Sequence, residues 1–196
     1  MKQIIYIGAL LMVLVSCKKG TTTKTTEDNP EAIQAIIANL DTNEKKEAFL
    51  VELYHIDQGN RGEKKGFEEL EILKKHNYSK QSQEYIDFMF NTMKVDSINT
   101  AKAIAYLHAY GYPEFEVKNN EARYAFQAIL MHQPTYEKQL ELFPYIHKAY
   151  MDEYIGADDF SFLLNNMHRH LQGKSHPHAR TNEENIRQLL AILPLN

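Results

Sequence analysis

The sequence has no tryptophan and only one cysteine, Cys17. A single cysteine cannot close a disulfide within the chain, so we expect a fold that is held together by side-chain packing alone. The same scarcity excludes a metal site built from thiolates. It also leaves everything after Cys17 without a cysteine nucleophile.

Motifs of several function classes are missing as well. The chain has no Gly-x-Ser-x-Gly elbow, no His-Glu-x-x-His metal motif and no phosphate-binding loop. Residues 59–66 are glycine-rich and basic, but they lack the Gly-Lys-Ser/Thr ending, and we interpret them as a connection between helices. The formal net charge is -4, with Lys and Arg interspersed among Asp and Glu. Because nucleic-acid binding needs clustered basic residues, we expect no nucleic-acid partner.

The first residues contain an uninterrupted apolar run. Lys2 precedes the apolar residues 4–15, and the run leads into Leu-Val-Ser-Cys at residues 14–17. A positive charge, an apolar run and then a small residue are typical of a secretory signal peptide, which we predict over residues 1–16. A transmembrane anchor is the competing interpretation, but a spanning helix needs roughly 20 apolar residues and this run is shorter.

The end of this run resembles the lipobox of bacterial lipoproteins, with a leucine three residues before a cysteine. The resemblance implies that Cys17 is acylated and becomes the new N-terminus, while a cleaved signal peptide with an incidental Cys17 is the alternative. Residues 18–29 are polar and rich in Thr, so we predict a lipidated cysteine and flexible tether over residues 17–29. We therefore expect an extracytoplasmic protein of the cell envelope, lipid-anchored to a bacterial membrane. The outer membrane, facing the periplasm, is the expected one.

From Pro30 onward the apolar residues recur at helical spacing, and no segment has the sustained alternation of a strand. We predict an all-α fold, with a single helical domain over residues 30–196. About eight or nine helices would pack as α-hairpins around one core. Residues 122–132 are apolar on most sides, which predicts the central buried helix.

Local signals predict where individual helices begin and end. The predicted starts are at Asn29-Pro30, Ser79, Asp96, Asn119, Pro134, Asp158 and Thr181. Gly111 and Gly173 are predicted to close helices, and Pro144 is predicted to break or kink one. The residues predicted to face inward from the helix after Ser79 are Tyr85, Ile86, Met89, Phe90 and Met93.

The second helix carries a polar pair on its apolar stripe. Stepping by three or four residues from Leu50 leads to Asp57 and Arg61, which are spaced to meet on one helix face. Gln58 and Asn60 are near enough in sequence to add hydrogen bonds. One interpretation is a structural ion pair that fixes helix packing. The other is the floor of a polar pocket, in which Arg61 binds an anionic group and Asp57 orients it or takes a proton.

These residues are part of a longer pattern. It comprises Asp57, Gln58, Arg61, Asp96, Asn99, Gly111-Tyr112-Pro113, His132, Gln139, Arg169 and Gly173. The pattern covers residues 49–173 and resembles domain-of-unknown-function family 6624, although an Asp is usual in that family where this chain has His168. The resemblance implies a shared helical fold and a shared polar constellation, with Gln58, Arg61 and Arg169 as binding residues. It implies no particular activity.

His132 ends the most apolar of the predicted helices. A histidine at this place can bond the last carbonyl groups of its helix and interact favourably with the helix dipole. It is also a natural acid–base partner for Asp57 if the two helices pack together, because imidazole titrates near neutral pH. Asp57 and His132 are therefore the candidate catalytic residues.

The other histidines do not predict a metal site. His168 and His170 are two residues apart and so point in different directions on a helix. His176 and His178 flank a proline in a loop, with no cysteine and no obvious carboxylate nearby to complete a ligand set. We expect no metal and no cofactor.

Three functions are compatible with the sequence. We expect first a binding or interaction module of the cell envelope, whose partner is an unknown protein or small molecule, because the anchor and tether come without a recognised catalytic signature. The second is a metal-independent hydrolase or similar acid–base enzyme that uses Asp57 and His132. The third is a purely structural envelope protein, which an exposed apolar patch would favour.

Overall fold

The computed structural model describes residues 29–114, 116–177 and 179–195. Within these residues the chain is helical and has no β-strand, so the all-α prediction is confirmed. The helices are α1 (Pro30–Ala38), α2 (Asn43–Gly59), α3 (Glu63–Lys75), α4 (Gln83–Tyr110), α5 (Asn120–Met131), α6 (Tyr136–Met151), α7 (Ala157–Gln172) and α8 (Asn182–Ile192). None of these helices combines the length and the apolar character that crossing a bilayer requires. The predicted signal peptide, Cys17 and all of the tether except Asn29 lie outside the described residues.

Several predicted helix ends are confirmed. Asn29 and Thr181 are N-caps, since each side chain accepts a backbone N–H from the first turn of its helix. Gly111 and Gly173 follow the last residues of α4 and α7 at φ values of 72° and 70°. Glycine is favoured in this left-handed region because it has no Cβ to clash with the backbone.

The predicted start at Ser79 is wrong. The N-cap of α4 is Ser82, three residues later. Asn77 and Tyr78 adopt φ values of 52° and 62°, so the chain is still turning in the left-handed region just before Ser79. A serine after a polar stretch is a cap signal only if the backbone around it is ready to continue as a helix.

Two other starts are displaced, and one predicted break is absent. α7 begins at Ala157 and places Asp158 in its first turn, where a carboxylate also interacts favourably with the helix dipole. α6 begins at Tyr136 and leaves Pro134 outside. The same helix continues through Pro144, which is exposed, so the carbonyl group that loses its N–H partner can be hydrated.

The fourth and fifth predicted helices are one continuous helix, α4, of 28 residues. Asp96, the predicted cap of the fifth helix, lies inside α4, and its carboxylate binds Arg61 of another segment. An aspartate before an apolar helical pattern has the same local sequence in both situations. Its partner 35 residues away in the chain is what decides between them.

Three residues that were predicted to face inward from α4 are exposed. Ile86, Phe90 and Met93 have exposed fractions of 48%, 66% and 57%. Tyr85 is buried as predicted, and Met89 is partly buried. α3 packs against α4 but has no fully buried residue of its own, so it adds no fully buried side chain to the core.

α5 is deeply buried, as predicted. Residues 125–130 are all buried, and α5 contacts α2, α4, α6 and α7. Its most extensive contact is with α2. Phe126 of α5 packs against Tyr106 of α4 with ring centroids 5.5 Å apart, and Tyr106 stacks on Phe49 of α2 at 5.8 Å. This packing brings the C-terminal ends of α2 and α5 together at the candidate site.

Candidate functional site

Asp57 is a buried carboxylate near the C-terminal end of α2, with only 2% of its surface exposed. Its Oδ2 accepts a hydrogen bond from Nε2 of Gln58 at 2.9 Å and lies 2.7 Å from Nδ1 of His132. Its Oδ1 lies 3.1 Å from Nη1 of Arg61. A buried carboxylate is costly unless other groups compensate its charge, and these three side chains do so.

Arg61 connects the end of α2 to α4. Its Nη1 donates to the backbone oxygen of Asp57 at 2.9 Å. Nη1 and Nη2 also donate to the two carboxylate oxygens of Asp96 at 3.0 and 2.8 Å, which is the strong bidentate geometry of arginine and carboxylate. Nη2 lies 3.5 Å from the backbone oxygen of His132. These contacts engage the guanidinium within the protein and favour a positioning role for Arg61 over direct binding of an anion.

His132 is the C-cap of α5, and its backbone N–H donates to the oxygens of Ala128 and Leu130. Its ring contacts Asp57 through Nδ1 at 2.7 Å. An ionised carboxylate can only accept hydrogen bonds, so Nδ1 is the donor and the neutral ring carries its lone pair on Nε2. Among residues 29–114, 116–177 and 179–195, Nε2 has no hydrogen-bond partner. The pairing of Asp57 with His132, suggested by the sequence, is therefore present in space.

A cavity of about 380 Å³ opens beside this pair and includes His132 in its wall. The side chain of His132 is 28% exposed, whereas that of Asp57 is 3% exposed. Solvent can therefore reach the imidazole but hardly the carboxylate behind it. The other walls come mainly from α4, including Met93 and Ala101, and from the first turns of α6.

Further hydrogen bonds hold the site together across helices. Asn60 donates from Nδ2 to Oδ1 of Asp96 and to the backbone oxygen of Thr92, both at 2.9 Å. Gln133 donates to the hydroxyl of Thr100 at 2.9 Å. The sequence placed Asn60 near Asp57, but its partner is Asp96. Gln133 and Thr100 were missed, because neither residue has a local signal for a contact 33 residues along the chain.

The charged groups around the cavity are paired with one another. Asp96 is paired with Arg61, and Lys138 of α6 forms an ion pair with Glu141 one turn later. When the ring of His132 is protonated, it has the carboxylate of Asp57 beside it. An imidazolium formed at this place would therefore be compensated at once by a fixed negative charge.

Arg169 is not part of this site. It is exposed on α7 and lines a separate cavity of about 220 Å³ together with Asn165 and Asn166. Gln139 lies in a buried polar cluster near that second cavity, where its Nε2 donates to Oδ1 of Asn166 at 2.6 Å. The structure thus brings together Asp57, Gln58, Arg61, Asp96 and His132, and it separates Arg169 and Gln139 from them.

The histidines near the end of α7 lie apart from the site. The rings of His168 and His176 have centroids 5.3 Å apart, and Nδ1 of His168 lies 3.0 Å from the backbone oxygen of Lys174. His170 is exposed as a whole, but partial desolvation of its ring, followed by the nearby charge of Arg169, lowers its pKa. In the described part of the chain no group of three His, Cys, Asp or Glu side chains is arranged to hold a metal ion. His178 lies outside the described residues.

Comparisons of the chain with protein-family models, with curated proteins and with solved structures find no match. A functional proposal therefore depends on the geometry around Asp57 and His132.

Proposed function

We propose that Asp57 and His132 form the acid–base centre of a hydrolase. The proposal is carried by one observation: Nδ1 of His132 lies 2.7 Å from a buried carboxylate oxygen, while the ring borders an open cavity. A carboxylate in this position fixes the tautomer of the imidazole and stabilises the imidazolium that forms when Nε2 takes a proton. The remaining contacts of Asp57 hold this geometry.

In the proposed reaction, Nε2 of His132 takes a proton from a water molecule as the water oxygen attacks a carbonyl carbon of the substrate. The bond between that carbon and the leaving group then breaks, and His132 returns the proton to the leaving group. One water is consumed, and an acid and an alcohol or amine are released. Asp57 and Arg61 are positioning residues, because neither would touch the substrate.

The proposed hydrolase is metal-independent and needs no cofactor. The carboxylate of Asp57 already accepts from Gln58, forms an ion pair with Arg61 and contacts His132, and that of Asp96 accepts from Arg61 and Asn60. Carboxylates whose lone pairs are engaged by cationic and amide donors are poor metal ligands. The water nucleophile is instead activated by the imidazole.

A binding or interaction module is the second candidate. It is favoured by the pairing of the charged side chains in the cavity wall. Every charged side chain in the cavity wall already has a partner of opposite charge, as the pair of Lys138 and Glu141 illustrates. In this alternative the cavity binds a small molecule or a segment of another protein. The contact between Asp57 and His132 then serves only to join α2 to α5.

We also propose where the protein works. The apolar leader over residues 1–16 would be cleaved, Cys17 would carry the lipid, and residues 17–29 would tether a helical domain over residues 30–196 to the outer membrane. The domain would be similar to those of domain-of-unknown-function family 6624, and its helices would pack as α-hairpins around one core. The support is the order of charge, apolar run and single cysteine in the sequence.

The hydrolase proposal is tested with the full chain and a panel of ester and amide substrates. We expect His132→Gln to lower kcat/KM by at least about 100-fold, since general acid–base groups contribute 10²–10⁴ in rate. His170→Gln is the matched control, because His170 is an exposed histidine on α7 that does not line the cavity beside His132. Equal turnover by the His132→Gln variant would contradict the proposal. A ligand that binds without turnover, equally well to His132→Gln, would favour the binding module.

A further inference from the structure

One exposed face of α4 is apolar over about two turns, from residue 86 to residue 93. Ile86, Phe90 and Met93 are four and three residues apart, so they lie above one another on the helix, and we name them the α4 stripe. About half or more of each residue is exposed. Single exposed apolar residues are ordinary on protein surfaces, whereas a contiguous apolar surface marks a binding site.

The α4 stripe continues directly into the cavity beside His132. Steps of four, four and three residues from Met93 reach Ser97, Ala101 and Ile104, and all four residues line the cavity. With a rise of 1.5 Å per residue, this face extends about 27 Å from Ile86 to Ile104. Met93 belongs to both parts, so the stripe and the cavity form one continuous surface.

We propose that the cavity binds the polar end of an uncharged amphiphile and that the α4 stripe binds its apolar chain. The inference rests on the proposed function for the position of the polar end beside His132. Combined with that function, it assigns the substrate class as neutral carboxylic esters with a long acyl chain. Hydrolysis adds a water hydroxyl to the acyl carbon, breaks the ester C–O bond and gives the proton to the departing alcohol.

The charges at the cavity explain why the polar end is uncharged. The cations near the cavity are already engaged: Arg61 is shared by the carboxylates of Asp96 and Asp57, and Lys138 is paired with Glu141. An anionic head would have to compete with these carboxylates for their cations, and a cationic head would have to compete for the anions. A neutral ester disturbs neither pair.

The polar residues beside the α4 stripe distinguish an amphiphile from a bilayer surface. They are Gln83, Asp87, Asn91 and Lys94. One acidic and one basic residue give no net charge, whereas attraction to an anionic leaflet needs several Lys or Arg together. The stripe is also one side chain wide, which suits a single chain better than the broad apolar face of an interfacial helix.

Photo-crosslinking measures where the alkyl chain of a bound amphiphile lies on the protein. The probes are glycerol monoalkyl ethers with butyl, octyl and dodecyl groups, each with a diazirine at the end of the alkyl group. They are added to the full-length protein in phosphatidylcholine nanodiscs. We expect labelling to move along α4 with chain length, from Met93 towards Phe90 and then Ile86. The probes are ethers, so no hydrolysis takes place.

Three variants control the experiment. Phe90→Ser is expected to lower labelling by the dodecyl probe about fivefold, as expected when part of an aromatic contact surface is lost. Phe67→Ser is the matched control, because Phe67 on α3 is 58% exposed but lies outside the stripe, and it should change nothing. Ala101→Trp fills the cavity end and should abolish the dependence on chain length. Because Ala101 is exposed, folding should be unaffected.

Several results would overturn the inference. They are labelling that is independent of chain length, equal labelling at Phe67 and Phe90, crosslinks between two copies of the protein through the stripe, and labelling by bilayer lipids that Ala101→Trp does not reduce. Ordered labelling without turnover of any ester would support the amphiphile site and contradict the hydrolase, while turnover without ordered labelling would contradict the amphiphile site alone.

Discussion

The two halves of α4, residues 83–95 and 96–110, carry apolar residues at the same helical spacing but differ in what covers them. The first half has α3 on one face and solvent over the α4 stripe. The second half carries fully buried residues such as Ala103 and Tyr106. Helical spacing thus identifies a face of a helix, but the neighbouring elements decide whether that face is buried or exposed.

The largest expected difference between the halves of α4 is in how much a substitution in each half lowers the free energy of unfolding. Tyr106 is fully buried between Phe49 and Phe126, so Tyr106→Ala should lower the free energy of unfolding by about 3–5 kcal/mol. Phe90→Ala removes an exposed ring and should change it by less than about 0.5 kcal/mol. Urea denaturation of both variants measures the difference. Similar losses in the two variants would show that the α4 stripe is covered in solution.

A smaller difference in the free energy of unfolding is expected when an aspartate is replaced in each half of α4. Asp96→Asn removes the charge that Arg61 binds and should lower the free energy of unfolding by about 2 kcal/mol. Asp87→Asn is the matched control in the first half, because Asp87 is exposed and bonds only Gln83 among the described residues. We expect almost no effect there.

Asp96→Asn also tests whether residues 83–110 form one continuous helix or two separate helices. If Asp96 capped a separate helix, asparagine would replace it at little cost, since both residues are good N-caps. Urea denaturation that finds Asp96→Asn as stable as the parent would therefore contradict the continuous α4 and its link to Arg61.

The features that the sequence predicted correctly depend on neighbours along the chain. The caps at Asn29 and Thr181, the glycine ends at Gly111 and Gly173 and the burial of residues 125–130 all follow from short-range patterns. A cap is a contact over two or three residues, and its geometry is nearly complete in the sequence itself.

The features that could not be predicted depend on distant residues. Asp96 has the local appearance of a cap, and only its bond to Arg61, 35 residues away, makes it part of the site. The exposure of Phe90 results from the absence of a described helix over that face. Asp57 and His132 were paired on chemical grounds, whereas Arg169 was added by resemblance and lies at another cavity.

The smallest expected effect concerns an exposed ion pair at the start of α4. Oε2 of Glu84 accepts from Nζ of Lys75 at 2.6 Å and lies 2.8 Å from Nε2 of His76, and the Lys75 contact, followed by that of His76, lowers the pKa of Glu84. A lowered pKa in the folded state favours folding above the unfolded pKa, and this contribution is lost as the pH falls through the folded value. We expect Lys75→Met to raise the pKa of Glu84 in an NMR titration, and Lys74→Met, which removes a cation paired with Glu71, to leave it unchanged.

The stability of the fold should respond little to the same substitution, because exposed ion pairs contribute little to stability and are screened by salt. The pair of Arg61 and Asp96 is less exposed, with about a quarter of each side chain accessible, and it should persist at high salt. Thermal unfolding of Lys75→Met and Asp96→Asn at low and high salt therefore compares the two halves directly. If the loss of thermal stability in Asp96→Asn disappeared at high salt, the ion pair of Asp96 would behave like the exposed ion pair of Glu84. The two halves of α4 would then differ only in their apolar packing.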